Sequence, residues 1–243
     1  MTRLRLPTLV LLATLLCWSH ATPEVLAQDR QSRDVEAFTN IGFAISGTLY
    51  ISQGETHSVE IDADDEILEY IETVVNNGRL HIRGQEETGW FSWLRSGTRR
   101  SATADVYVTT PSLDGVSVAG SGDVIVRDTF TSDRFSVEIA GSGNIELPLE
   151  ASAVTARIAG SGSMNLSGMA DDLSVNIAGS GDVRASDLQV ARAEVRIAGS
   201  GDCHVYAREH LNVQIMGSGD VFYAGEPEIE RSVMGSGRVR AID

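Results

Sequence analysis

The second half of the chain alternates apolar and polar residues around a repeated Gly-Ser-Gly. Val116 and Val118 lead into Gly120-Ser121-Gly122, and Val124 and Val126 follow it. The motif recurs from Gly141, Gly160, Gly179, Gly199, Gly217 and Gly235, at steps of 21, 19, 19, 20, 18 and 18 residues. Period-two alternation marks strands with one buried face. A motif at a fixed period of about 20 residues marks a repeat architecture. Each unit reads as a strand, a glycine turn, a second strand and a connection of variable length. That is too short to hold a helical crossover as well. It fits one coil of a solenoid, with equivalent residues stacked about 4.8 Å apart. The prediction is an all-β fold: a single-stranded parallel β-helix (solenoid) with 18–21 residues per rung. A left-handed coil of hexapeptides needs a strict 18-residue step, which only the last two steps provide.

Between the inward residues lies an outward column: Ser117, Glu138, Arg157, Asn176, Arg196, Gln214 and Ser232. Glu138 beside Arg157 predicts a cross-rung ion pair worth only about 0.2–1 kcal/mol. In the last unit Arg231 stands where an inward Val is expected, and Arg238 takes the place of Asp or Asn. Charge on a terminal rung is a cap against further strand pairing.

The chain opens with a secretory signal. Arg3 and Arg5 precede an apolar run from Leu6 to Trp18, and small residues place cleavage after Ala21 or Ala27. The run is too short to span a membrane comfortably. Leu16 before Cys17 argues against lipidation. We divide the chain into signal peptide 1–27, a polar and flexible leader 28–37, and a β-helical domain 38–243. Within the domain, 38–114 form irregular opening rungs and 115–243 the Gly-Ser-Gly rungs. Residues 67–75 fit helix and strand equally. Asn76-Asn77-Gly78 is a strong turn.

A loop at 86–104 holds Trp90, Phe91, Trp93 and Arg95 and is the candidate partner-binding surface. The competing expectation is that its tryptophans fold back over the open end of the solenoid.

Charge and chemistry narrow the function. The chain has 34 acidic and 19 basic residues, none of them lysine, for a net charge of −15. Such a surface as a whole repels nucleic acid and anionic lipid. After cleavage at Ala27 the lone cysteine is Cys203, in an inward slot as a small hydrophobe. Asp182, Asp202 and Asp220 fall on consecutive rungs. Stacked carboxylates repel, and calcium bridging them is the weaker reading. The stronger is that each accepts turn amides, as Asn144 and Ser163 also would at the same position. The five histidines lack metal-ligand spacing, and seven copies of Gly-Ser-Gly are turns rather than a nucleophile elbow. No catalytic residue, metal or cofactor is predicted.

Three runs carry a resemblance: FTNIGFAISGTLYISQG from Phe38, ILEYIETVVNNGRLHIR from Ile67, and DVYVTTPSLDGVSVAGSGDV from Asp105. They resemble the head GIN domain family of auto-transporter adhesins, over about residues 34–242. The resemblance implies an exported bacterial protein with a right-handed β-helix and a role in adhesion. It brings no catalytic residues. The leading expectation is a non-enzymatic envelope or surface module that binds a glycan or protein partner. A periplasmic structural or assembly protein, with the solenoid as spacer or homo-oligomer core, is the alternative. A polysaccharide-active enzyme stands third.

Overall fold

The computed structural model describes residues 30–85 and 103–242. The signal region and most of the 86–104 loop, with Trp90, Phe91, Trp93 and Arg95, lie outside the described residues. The chain is a β-solenoid of about 7 turns. Every step between glycine motifs is one rung, in parallel register with its neighbours. Gly120, Gly141, Gly160, Gly179, Gly199, Gly217 and Gly235 are successive partners in the ladders.

The alternating residues face as their pattern requires. Ile41, Val116, Val137, Ala156, Val175, Val195 and Val213 form one buried column. Phe43, Val118, Ile139, Ile158, Ile177, Ile197 and Ile215 form the next. Beyond the corner, Leu49, Val124, Ile145, Met164, Val183, Cys203 and Val221 continue the core. Stacking like on like buries both neighbours of each side chain without large voids.

The repeat unit is more continuous than strand, turn, strand and connection. β11 (Asn144–Gly160), β12 (Ser163–Gly179) and β13 (Asp182–Gly199) each run almost the whole way round a rung. The variable connection is itself paired. The step of 20 residues opens against the preceding rung at a register shift between Asn165 and Ser167, and shifts between Ala185 and Gln189 and between Val190 and Arg192 fit it to the 18-residue rung that follows. Bulges of this kind take up an extra residue without breaking the ladder.

The opening half caps the first coil. β2 (Asn40–Ala44) and β3 (Gly47–Gln53) are true parallel rung strands. Around them, β4 (Ser58–Asp62) runs antiparallel to β7 (Ala104–Thr110). The ambiguous segment resolves into both elements: α1 (Asp65–Leu68), which buries Ile67 and Leu68, then β5 (Ile71–Asn76). β5 turns at Asn77 (φ 51°) and Gly78 (φ 72°) into β6 (Arg79–Gly84). The leader needs correction. Its residues Gln31–Arg33 form β1, antiparallel to β4, and the Arg33 guanidinium donates to the Leu68 carbonyl at 2.9 Å.

The far end is different. In β16 (Glu228–Gly235), Arg231 stacks on Val213 as the pattern implies. Ile229 and Val233, over Leu211 and Ile215, are 36% and 38% exposed where those beneath are 1%. The charge at Arg231 therefore guards an apolar strand edge.

Two outcomes are expected. At Gly179, φ is +128° and an added Cβ would collide with the Gly160 carbonyl oxygen. Gly179→Ala should cost more than about 2 kcal/mol in denaturant unfolding, while Gly78→Ala, with open space around it, should cost about 1 kcal/mol. Arg231→Val should raise self-association in size-exclusion with light scattering, and a mass unchanged from the parent protein would remove the guarding role from Arg231.

Candidate functional site

The corner at each Gly-Ser-Gly divides two outward surfaces. The face after the corner carries the aspartate column. Asp182 and Asp202 do stack, and they solve their repulsion through the backbone. The Asp182 Oδ1 accepts from the Asp202 amide at 3.0 Å, and the Asp202 Oδ1 from the Asp220 amide at 2.8 Å. The Asp220 Oδ1 accepts from the Arg238 amide at 2.8 Å. Asn144 and Ser163 join the same ladder, Asn144 donating to Asp123 and Ser163 to Asn144. The carboxylates are thus spent on rung-to-rung amide bonds, whereas Asn144 and Ser163 link side chain to side chain instead of accepting an amide as expected. No grouping of three His, Cys, Asp or Glu with metal-binding geometry exists among the described residues. The remaining oxygens of Asp182 and Asp220 face Arg184 and Arg240 at 3.7 and 3.9 Å.

Beside this column runs a second outward one. Tyr50 and Tyr107 stack with centroids 5.1 Å apart, and Arg30 and Arg127 lie over their outer faces at 3.8 and 4.5 Å. Further along, His204 stacks on Phe222 at 4.6 Å. Rings stacked along the axis turn their edges, not their faces, to solvent. Between these pairs lie Glu146, Asn165 and Arg184, which line a groove of about 550 Å³ together with apolar residues such as Leu147 and Pro148.

Cys203 is fully buried behind this face. Burial, then the charges of Asp202 and Asp182, push its thiol well above the usual range. A thiol held protonated and enclosed is not a nucleophile.

The face before the corner carries three outward columns, the one farthest from the corner being Ser136, Thr155, Ser174, Glu194, Asn212 and Glu230. The middle one runs Ser117, Glu138, Arg157, Asn176, Arg196 and Gln214, and Arg157 bonds Glu138 at 3.0 Å. Nearer the corner, Ala119, Ala140, Ala159, Ala178 and Ala198 stand exposed in register, continued by Met216 and Met234. At the N-terminal end of this face is a cleft of about 420 Å³ with a floor of small residues. Arg79, His81 and Arg83 of β6 flank it. Sequence reasoning missed this cleft. The signal was present in the Ala that precedes Gly-Ser-Gly at an outward position in rung after rung.

On the remaining side, Arg192 grips Asp172 with two nitrogens at 2.6 and 2.8 Å. That hydrogen bonding and the Asp172 charge raise the Arg192 pKa further. The pair is exposed, so it contributes little.

A family profile described as "Putative auto-transporter adhesin, head GIN domain" matches residues 37–227. The chain belongs to the head GIN domain family. No curated protein matches it in sequence. Among solved structures, a "putative adhesin" from Bacteroides fragilis superposes with TM-score 0.80 at 25% identity, covering 88% of this chain and 96% of its own. A "putative lipid binding protein" from Parabacteroides distasonis gives TM-score 0.72 at 27% identity, with the same coverage. A "putative adhesin" from that species, at 19% identity and TM-score 0.69, shares the fold. The head GIN assignment accounts for the serial Gly-Ser-Gly-Asp rungs and for the opening half together.

Two measurements check the site chemistry. Millimolar calcium or chelator should leave the thermal midpoint unchanged, whereas an appreciable rise with calcium would restore a metal role to the Asp column. Iodoacetamide at pH 8 should leave Cys203 unmodified in the native protein and label it once denatured.

Proposed function

We propose that this head GIN protein is a non-enzymatic, exported adhesin-like module that binds a glycan or protein partner on its outer faces. The observation that carries the reading is the order of its surface. Outward polar side chains stand in columns fixed by the backbone ladder, from the Tyr50–Tyr107 stack to the His204–Phe222 stack. A rigid array of repeated donors and acceptors binds an extended partner at low ordering cost. Family membership and the adhesin neighbours support an exported or surface position. No helix among the described residues is long and apolar enough to cross a membrane. Export runs through the 1–27 signal. The Trp90, Phe91, Trp93 and Arg95 segment is the proposed contact element.

One observation favours a second reading. Ile229 and Val233 at the last rung leave an apolar edge that suits a structural or assembly role in the periplasm. A protease too large to cross the outer membrane separates the two. Removal of the protein from intact cells supports adhesion, and cleavage only after the membrane is opened supports the periplasmic role. On a partner found by glycan and surface-protein screening, Trp90→Ala with Trp93→Ala should weaken binding at least about tenfold, the effect of losing one or two aromatic anchors. Retained binding would remove the loop from the account.

A further inference from the structure

The cleft at the N-terminal end of the face before the corner combines two features that do not recur together elsewhere among the described residues. Its floor is apolar and almost without side chains, formed by Gly42, Ala119 and Ala140 with their neighbours. Its rim carries three cations, Arg79, Arg83 and Arg157, against one lining carboxylate, Glu138. We propose that this cleft binds a free long-chain fatty acid, with its carboxylate on Arg79 and its acyl chain along the alanine column.

The head position follows from the pairing of the three arginines. Arg83 is bonded to Glu72 at 2.9 Å and Arg157 to Glu138 at 3.0 Å. Arg79 has no such carboxylate among the described residues, and its side chain makes only a long bond of 3.4 Å to the Ser117 hydroxyl. Its guanidinium is the one rim cation whose fork is open to an incoming carboxylate, the geometry in which arginine binds bidentately.

The chain position follows from the column. The cleft spans β6, β2, β8 (Gly115–Gly120), β10 (Phe130–Gly141) and β11 side by side, roughly 19 Å at the usual strand spacing. Past it the apolar track continues through Ala178 and Ala198 to Met216, which is 56% exposed. The track is one side chain wide, bounded by the Ser117–Glu138–Arg157 column on one side and the Gly-Ser-Gly corner on the other; at β2 that bounding column is Gly42, whose missing side chain leaves the gap between the track and Arg79, which lies beyond the column and reaches the Ser117 hydroxyl. That width admits one unbranched chain and not the paired chains of a bilayer lipid. Charge points the same way. A net charge of −15 opposes an anionic bilayer, while the local cations attract one small anion.

Gly42 supplies a clean test position. A Cβ there would meet the Ser117 Oγ at 3.5 Å and the His81 Nδ1 at 3.6 Å, ordinary contacts, so the backbone accepts a side chain at this position, and a large one projects into the cleft.

The experiment is titration calorimetry of the full chain with palmitate below its micelle concentration. Hexadecanol, and vesicles of anionic phospholipid, serve as the comparison ligands. The expected result is saturable one-to-one binding of palmitate, with hexadecanol and Arg79→Gln each weaker by about tenfold or more, the effect of losing a charge-assisted bond. Gly42→Ile should abolish binding with its thermal midpoint retained, and Arg134→Ala, on the remaining side, should bind as the parent does. Failure of palmitate to bind up to its solubility limit overturns the proposal. So does equal binding by Arg79→Gln, which carries no structural load, or by hexadecanol. Vesicle binding without palmitate binding would assign the surface to membranes instead, and also overturns it. The outcome is independent of partner binding by the Trp90–Trp93 loop.

Discussion

The structure depends on how closely one backbone can approach the next at the Gly-Ser-Gly corner. At Gly141, Gly160, Gly179, Gly199, Gly217 and Gly235, φ lies between +128° and +145°, and a Cβ would collide with the carbonyl of the glycine one rung below. Only glycine meets both demands. The same two demands meet outside the motif at Gly47, Gly168 and Gly225, where φ is +131°, +113° and +91° and the carbonyls of Ala104, Leu149 and Ala207 crowd the Cβ position. With these corners closed, every rung returns to the same point, and the ladder bonds and apolar columns come into register together.

Register then decides the chemistry of the surface. Stacking puts equal residues about 5 Å apart, a spacing that favours apolar columns and penalises charge. The aspartates survive because each accepts an amide from the next rung. Glu138 and Arg157 survive because they alternate in sign. Tyr50 and Tyr107 survive as a stack closed by Arg30 and Arg127. The alanine column needs no partner and leaves a smooth apolar track beside these polar columns. A family of folds built this way offers long, rigid, regularly patterned faces, which is the property an adhesin-like module uses.

Much of this was legible in the chain. The period of Gly-Ser-Gly and the alternation around it identify rungs, inward columns and even the Glu138–Arg157 pair, because neighbours in space lie one period apart in sequence. The opening half was legible only as strands. Its antiparallel pairings, β1 with β4 and β4 with β7, join segments whose separation follows no period. Tyr50 and Tyr107 are adjacent in space but share no motif. The polarity of 28–37 reads as leader, yet three of those residues find an open strand edge and pair with it. The cleft escaped notice because an exposed Ala reads as filler, and because Arg79 and Arg83 reach it from a hairpin outside the repeat.

If the corner glycines and nearest-neighbour stacking define the fold, whole rungs are interchangeable. Deleting residues 160–178 joins Ala159 to Gly179, which is the register partner of the Gly160 it replaces. The measurement is cooperative unfolding of this deletion, followed by circular dichroism and small-angle scattering. The account predicts a folded β protein, shorter by one rung, with a single transition. An unfolded or aggregated chain would show that long-range packing, rather than the glycine corner and its neighbours, holds the solenoid together.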